Sequence, residues 1–185
     1  MSQSKNNIVT KGLSGKVYQL VFKQWFGRTV VAKRPRKFST VTSNQLNIRE
    51  TFKNAAAYAK AAITDAALKL AYKAKAKPGQ TAYNMAVADF FTLPEIGEID
   101  SSGYNGQAGS TLIAPVTDDF KVKTVKVRIE KANGSLLEEG DASLLPDGLN
   151  WMYVSTVANG TVTGTKVSFT ATDMPGHSIS KLKTL

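Results

Sequence analysis

Residues 123–131 read KTVKVRIEK, and residues 165–172 read TKVSFTAT. In the first, Val125, Val127 and Ile129 alternate with Lys126, Arg128 and Glu130. In the second, Val167, Phe169 and Ala171 alternate with Lys166, Ser168 and Thr170. A period of two sends one set to a core and the other to solvent, which defines two half-buried strands. Trp151 and Tyr153 share one face of a third. Turn dipeptides recur about every ten residues from 105 onward: Asn105-Gly106, Asp118-Asp119, Asn133-Gly134, Asp147-Gly148, Asn159-Gly160 and Pro175-Gly176. Short strands at that spacing predict a β-sandwich over residues 94–185.

Upstream of Leu93-Pro94 the period changes. Thr42-Ser-Asn-Gln45 has the form of a capping box, and Ile48, Phe52, Ala55, Ala59 and Ala62 then fall on one stripe of a helix ending near Ile63. Thr64-Asp65 caps a second helix, which must stop before Pro78-Gly79. A third is expected over about 80–91, with Tyr83, Val87 and Phe90 on one side. Before the helices, 17–22 (VYQLVF) and 28–33 (RTVVAK) read as the two strands of a hairpin, with the break at 23–27 and Gly27 in the loop. Tyr18, Leu20 and Phe22 would then share a face. The expected class is therefore α+β: an N-terminal β-hairpin plus Ala-rich helices in residues 1–93, followed by an all-β sandwich in residues 94–185.

Composition narrows function. The 185 residues include no cysteine and one histidine, His177, which removes thiol nucleophiles, Cys-ligated metals and multi-histidine metal sites. Neither a secretory leader nor a run long enough to span a membrane is evident, so a cytoplasmic protein with no membrane span is the default expectation, with a released or surface-associated assembly as the alternative. Net charge is +10 and unevenly spread. Residues 1–80 carry sixteen Lys and Arg against Glu50 and Asp65, whereas 81–185 carry eight against twelve acids. A chain with one strongly basic end suits a polyanion, or a head-to-tail contact with another copy.

The stretch 121–185, with KTVKVRIEKANGSLLEEG, the WMY strand and the closing VSFTATDMPGHS, resembles immunoglobulin-like or fibronectin type III-like modules of bacterial surface and structural proteins. That resemblance implies a spacer, display or adhesion element with no active site. The front half, GLSGKVYQLVFKQWFGRTVVAKRP with Gln45, Arg49, Phe52 and KAKPGQTAYNMAVADFF, is similar to a group of small bacterial proteins to which no activity is attached.

Several residues suggest chemistry. Gly12-Leu-Ser-Gly15-Lys16 has clustered glycines before a lysine, yet it lacks phosphate-loop spacing and precedes a strand. His177 follows a Pro-Gly turn, and Asp118, Asp119 and Asp173 lie in turns able to meet at one end of a sandwich, but no spaced calcium loop exists. No catalytic residue, cofactor or metal site is assigned, and the chain is not read as an enzyme.

Two binding surfaces are expected. A hairpin apolar on both faces needs covering and edge pairing, which places assembly at Val17, Tyr18, Leu20, Phe22, Trp25, Phe26 and Val30. Lys33, Arg34, Arg36 and Lys37, with Lys5, Lys11, Lys16, Lys23 and Arg28 able to track a phosphate backbone beside them and with Lys69, Lys73 and Lys77 along the second helix, form the candidate polyanion surface, and Trp25 and Phe26 at the hairpin tip could stack on exposed bases. The expected function is a self-assembling structural protein, a filament, sheath or particle component displaying an immunoglobulin-like domain, with a homo-oligomer or polymer as its partner. The alternative is a protein that coats DNA or RNA.

Overall fold

The computed structural model describes residues 2–4, 8–25, 27–35 and 41–185, with backbone alone at 2–4. It is a mixed α+β chain of two compact units, Met1–Phe52 and Lys53–Leu185.

The first unit holds an antiparallel sheet of β1 (Ser2–Ser4), β2 (Gly15–Val17), β3 (Leu20–Trp25) and β4 (Arg28–Lys33), in the order β1-β4-β3-β2. Two two-residue turns shape it. Trp25 pairs with Arg28, and Gly27 takes φ +73°, the left-handed conformation that tight hairpins require. Val17 pairs with Leu20 across Tyr18-Gln19, where Tyr18 itself sits at φ +51°. The stretch 17–22 is therefore a turn joining two strands, a correction to the single strand expected there, and β3 continues through the expected break to Trp25. No Gly, Asn or Asp marks the turn, so the sequence carries no signal for it.

Helix α1 (Ser43–Ala62) begins at the capping box, where the Gln45 amide nitrogen donates to Thr42 Oγ1 at 3.3 Å and the Thr42 amide donates to Gln45 Oε1 at 3.2 Å. The boundary between the units falls inside this helix, whereas the change of period places one at 93/94. Along the expected stripe, Ala55, Ala59 and Ala62 are buried, while Ile48 and Phe52 are 66% and 55% exposed.

In the second unit, α2 (Ala66–Lys75) starts where the Leu68 amide donates to Asp65, and α3 (Ala82–Phe91) where the Asn84 amide donates to Thr81. Alanine leaves little volume between these helices, and bulk comes from Phe120, in the connection between two strands of the sheets. Phe120 packs with Ala59, Ala62, Tyr72, Ala82, Met85 and Ala86, its ring stacked on Tyr72 at 3.9 Å between centroids.

The strands of this unit form two four-stranded sheets. One orders β5 (Glu95–Ile96), β6 (Thr111–Thr117), β10 (Asn150–Val154) and β9 (Ser143–Leu144). The other orders β12 (Ser178–Thr184), β11 (Lys166–Asp173), β7 (Val122–Glu130) and β8 (Leu136–Asp141). Val125, Val127 and Ile129 of β7 and Val167, Phe169 and Ala171 of β11 join Leu112, Ala114 and Tyr153 in one core, as their alternation predicts. At the β12 edge, Lys181 and Lys183 pair with Phe169 and Val167 and so lie on the core side. Their amines reach Glu98 Oε1 and the Ile99 carbonyl oxygen, each at 2.7 Å. Inward-pointing charge of this kind blunts an edge against further pairing.

Candidate functional site

Register assigns every side chain of the N-terminal sheet to a face. Partners directly opposite share a face, and each strand alternates. Val17, Leu20, Phe22, Gln24, Thr29, Val31 and Lys33 therefore lie on one side, and Lys16, Val21, Lys23, Trp25, Arg28 and Val30 on the other. The expected assembly set is split. Val17, Leu20 and Phe22 occupy the first face, Trp25 and Val30 the second, Tyr18 the turn, and Phe26 lies outside the described residues.

The first face is partly covered. Gln24 Nε2 donates to the Leu13 carbonyl at 2.7 Å and to Thr29 Oγ1 at 2.9 Å, and the Thr29 hydroxyl donates to the Thr10 carbonyl at 2.9 Å. These bonds lay the 8–13 segment over the Gln24 and Thr29 end. The far end stays open, with Val17 60% and Leu20 44% exposed. Thr29 is the single buried side chain among those described in this unit, and no apolar one is buried.

The expected polyanion set is distributed over both units. Lys33 sits on the partly covered face, Arg34 follows β4, and Lys5, Arg36 and Lys37 lie outside the described residues. Lys69 and Lys73 belong to α2 in the other unit, and Lys77 falls beyond the helix end at Lys75. The structure groups Lys16, Lys23 and Arg28, all exposed, on one face. The strand break at Tyr18 hid this from the sequence, because it resets which residues alternate.

A second polar cluster lies where the helices meet the sheets of the second unit. Tyr58 and Tyr72 share a 2.7 Å hydroxyl hydrogen bond, and the Tyr72 hydroxyl donates to Asp89 Oδ2 at 2.6 Å. Asp89 is fully buried and its Oδ1 has no partner. Burial, with Asp118, Asp173 and Asp119 nearby, pushes its carboxyl up to about 6. Burial likewise raises the Tyr58 and Tyr72 hydroxyls and the Asp118 carboxyl above their usual values. Asp173 Oδ1 accepts from the amides of Gly176 and His177, and its Oδ2 lies 2.9 Å from His177 Nδ1. His177 also sits edge-on to Phe90 at 4.7 Å. Asp119 Oδ2 accepts from the Thr92 hydroxyl at 3.1 Å.

The expected turn acids thus gather around Asp89, a residue the sequence reading passed over. The signal was available, since Asp89 is the lone acid in the apolar helix AYNMAVADFF. Among the described residues, no three His, Asp or Glu side chains converge to hold a metal ion. Gly12 and Gly15 take φ +82° and +111°, and Lys16 continues into β2. No helix of the described residues is long and apolar enough to cross a membrane.

No family model matches the chain, and no curated protein does. Among solved structures, a crystal structure of an engineered protein aligns with 60% of this chain at 19% identity and a TM-score of 0.36. The chain spans 29% of that protein's length.

Proposed function

We propose that this chain is a non-catalytic structural protein that assembles with copies of itself through its N-terminal unit and displays the two-sheet body as an immunoglobulin-like sandwich. The product is a filament, sheath or particle-associated array. One observation carries the reading: the first unit buries no apolar side chain among its described residues, whereas the second buries two apolar clusters. A sheet with an open apolar patch at Val17 and Leu20, and with further exposed apolar residues at Leu46, Ile48 and Phe52 on α1, gains most of its stability by being covered. Three of the four edges of the body suit display, because β12 is guarded and β5 and β9 are two residues long, while β8 is a six-residue edge.

Light scattering after size exclusion tests the reading. The nuclease-treated full chain is expected as multiples of 19.9 kDa at low and high salt. A chain of residues 53–185, which lacks the whole first unit, is expected as a monomer. A monomeric full chain at every concentration, or a truncated chain that still polymerises, overturns the proposal.

A further inference from the structure

The second face of the N-terminal sheet differs in character from the first. Lys16 on β2 stands opposite Val21, two residues from Lys23 on β3, and Lys23 stands opposite Val30, two residues from Arg28 on β4. The three cations therefore run diagonally across three strands, each about 7–8 Å from the next. Trp25 is directly opposite Arg28 and is 62% exposed. Half-buried Val21 and Val30 form the floor between them. Residues 1–52 contain ten Lys and Arg against one acid, Glu50, so the unit that carries this face is strongly basic.

We propose that this face binds single-stranded nucleic acid, with successive phosphates on Lys16, Lys23 and Arg28 and a base stacked on Trp25. A row of cations crossing an open sheet tracks a backbone, and an aromatic ring beside it offers a platform to any base. Duplexes fit less well, because their bases are already stacked on one another and offer no free face to the indole. The partner is a polyanion on charge complementarity. The inference goes beyond self-assembly, which rests on the opposite face and the apolar residues of α1.

Fluorescence anisotropy of a labelled 20-nucleotide mixed-sequence single strand, titrated with nuclease-treated full chain from 50 to 200 mM salt, tests it. Three phosphate contacts on a single strand give a slope of about −2 in log affinity against log salt. The variant K16A/K23A/R28A is expected to flatten the slope by about 2, and the charge-preserving K16R/K23R/R28K to keep it. W25A should weaken binding about tenfold at unchanged slope, and W25F much less. The same sequence as a duplex should bind more weakly. Absence of binding at 50 mM salt overturns the proposal, as does an unchanged slope in the alanine variant or equal affinity for the duplex. If the alanine variant instead loses molar mass by light scattering and the wild-type chain shows no anisotropy change, the face covers another copy. That outcome sinks the nucleic-acid inference and leaves self-assembly standing.

Discussion

The Tyr72 hydroxyl gives its proton to Asp89 Oδ2 across 2.6 Å, and neither side chain reaches solvent. Tyr58 continues the chain from α1, so one run of hydrogen bonds ties all three helices together. Buried polar chains of this kind add rigidity when satisfied and are costly when broken.

Removing the middle hydroxyl breaks both links. Tyr72→Phe keeps the ring stacked on Phe120 but leaves Asp89 without its donor, which should cost about 1–3 kcal/mol. Tyr58→Phe leaves the bond to Asp89 intact and should cost less than about 1 kcal/mol. Urea denaturation of the two variants gives the comparison, and equal losses would contradict the order of the chain.

Asp89 makes stability depend on pH. Its folded carboxyl lies near 6, above the ordinary value of about 4, so the protonated form stabilises the fold fully below pH 4. That contribution fades as pH rises through 6, and above it the ionised, buried group costs about 3 kcal/mol. Asp89→Asn keeps an acceptor for Tyr72 and removes the charge. The variant should therefore gain on the wild type between pH 4.5 and pH 7. Chemical melts at both pH values decide it, and a difference that does not change with pH would rule Asp89 out as the titrating group.

Glu138 is the buried hub of the β8 edge. Its Oε2 accepts from the Tyr153 hydroxyl at 3.1 Å and from the amide and hydroxyl of Thr156, both at 2.9 Å. Glu138→Ala should cost about 2–3 kcal/mol, since three donors lose a charged acceptor, while Glu138→Gln should cost less. Burial and the Glu138 carboxylate also push the Tyr153 hydroxyl up to about 12. Alkaline absorbance titration should show that tyrosine ionising earlier in Glu138→Gln.

Gly106 has no room for a side chain. It sits at φ +82°, and a Cβ there would lie 2.5 Å from the Asn159 carbonyl oxygen, in a loop where the Asn159 amide donates to the Gly106 carbonyl. Gly106→Ala should destabilise by at least about 1–3 kcal/mol from backbone strain alone. Gly109→Ala is a control at φ +91° with open space around its Cβ, and should cost less in a thermal melt.

The second unit was the more legible. Period-two alternation named the buried residues of β7 and β11, and Asp65 announced the start of α2 through a side chain that does cap, as Thr42 did for α1; the Thr81 cap of α3 was not singled out. Local rules work there because the relevant partners are three residues away or on the same strand. What stayed hidden depends on distant partners or on an unmarked turn. Tyr18 reverses the chain without a turn residue, which moves Val17 onto the face of Leu20 and Phe22 and Lys16 onto that of Val21 and Lys23. On α3 the buried set is Ala82, Met85, Ala86 and Asp89, with Tyr83, Val87 and Phe90 only partly covered. Which side of an almost wholly apolar helix is inward is decided by Tyr72 and Phe120, and neither lies on it.

A sheet that buries no apolar side chain has a kinetic consequence. Ordering such a surface costs conformational entropy that an isolated copy recovers poorly, so under the proposed self-assembly the surface would be completed when a partner covers it. In an array built through this unit, two free copies would each face that cost at once, whereas a copy joining an existing end would meet a template already set. Growth would then show a lag that added fragments of preformed array abolish. On that proposal, newly made chains would stay apart until a seed is present.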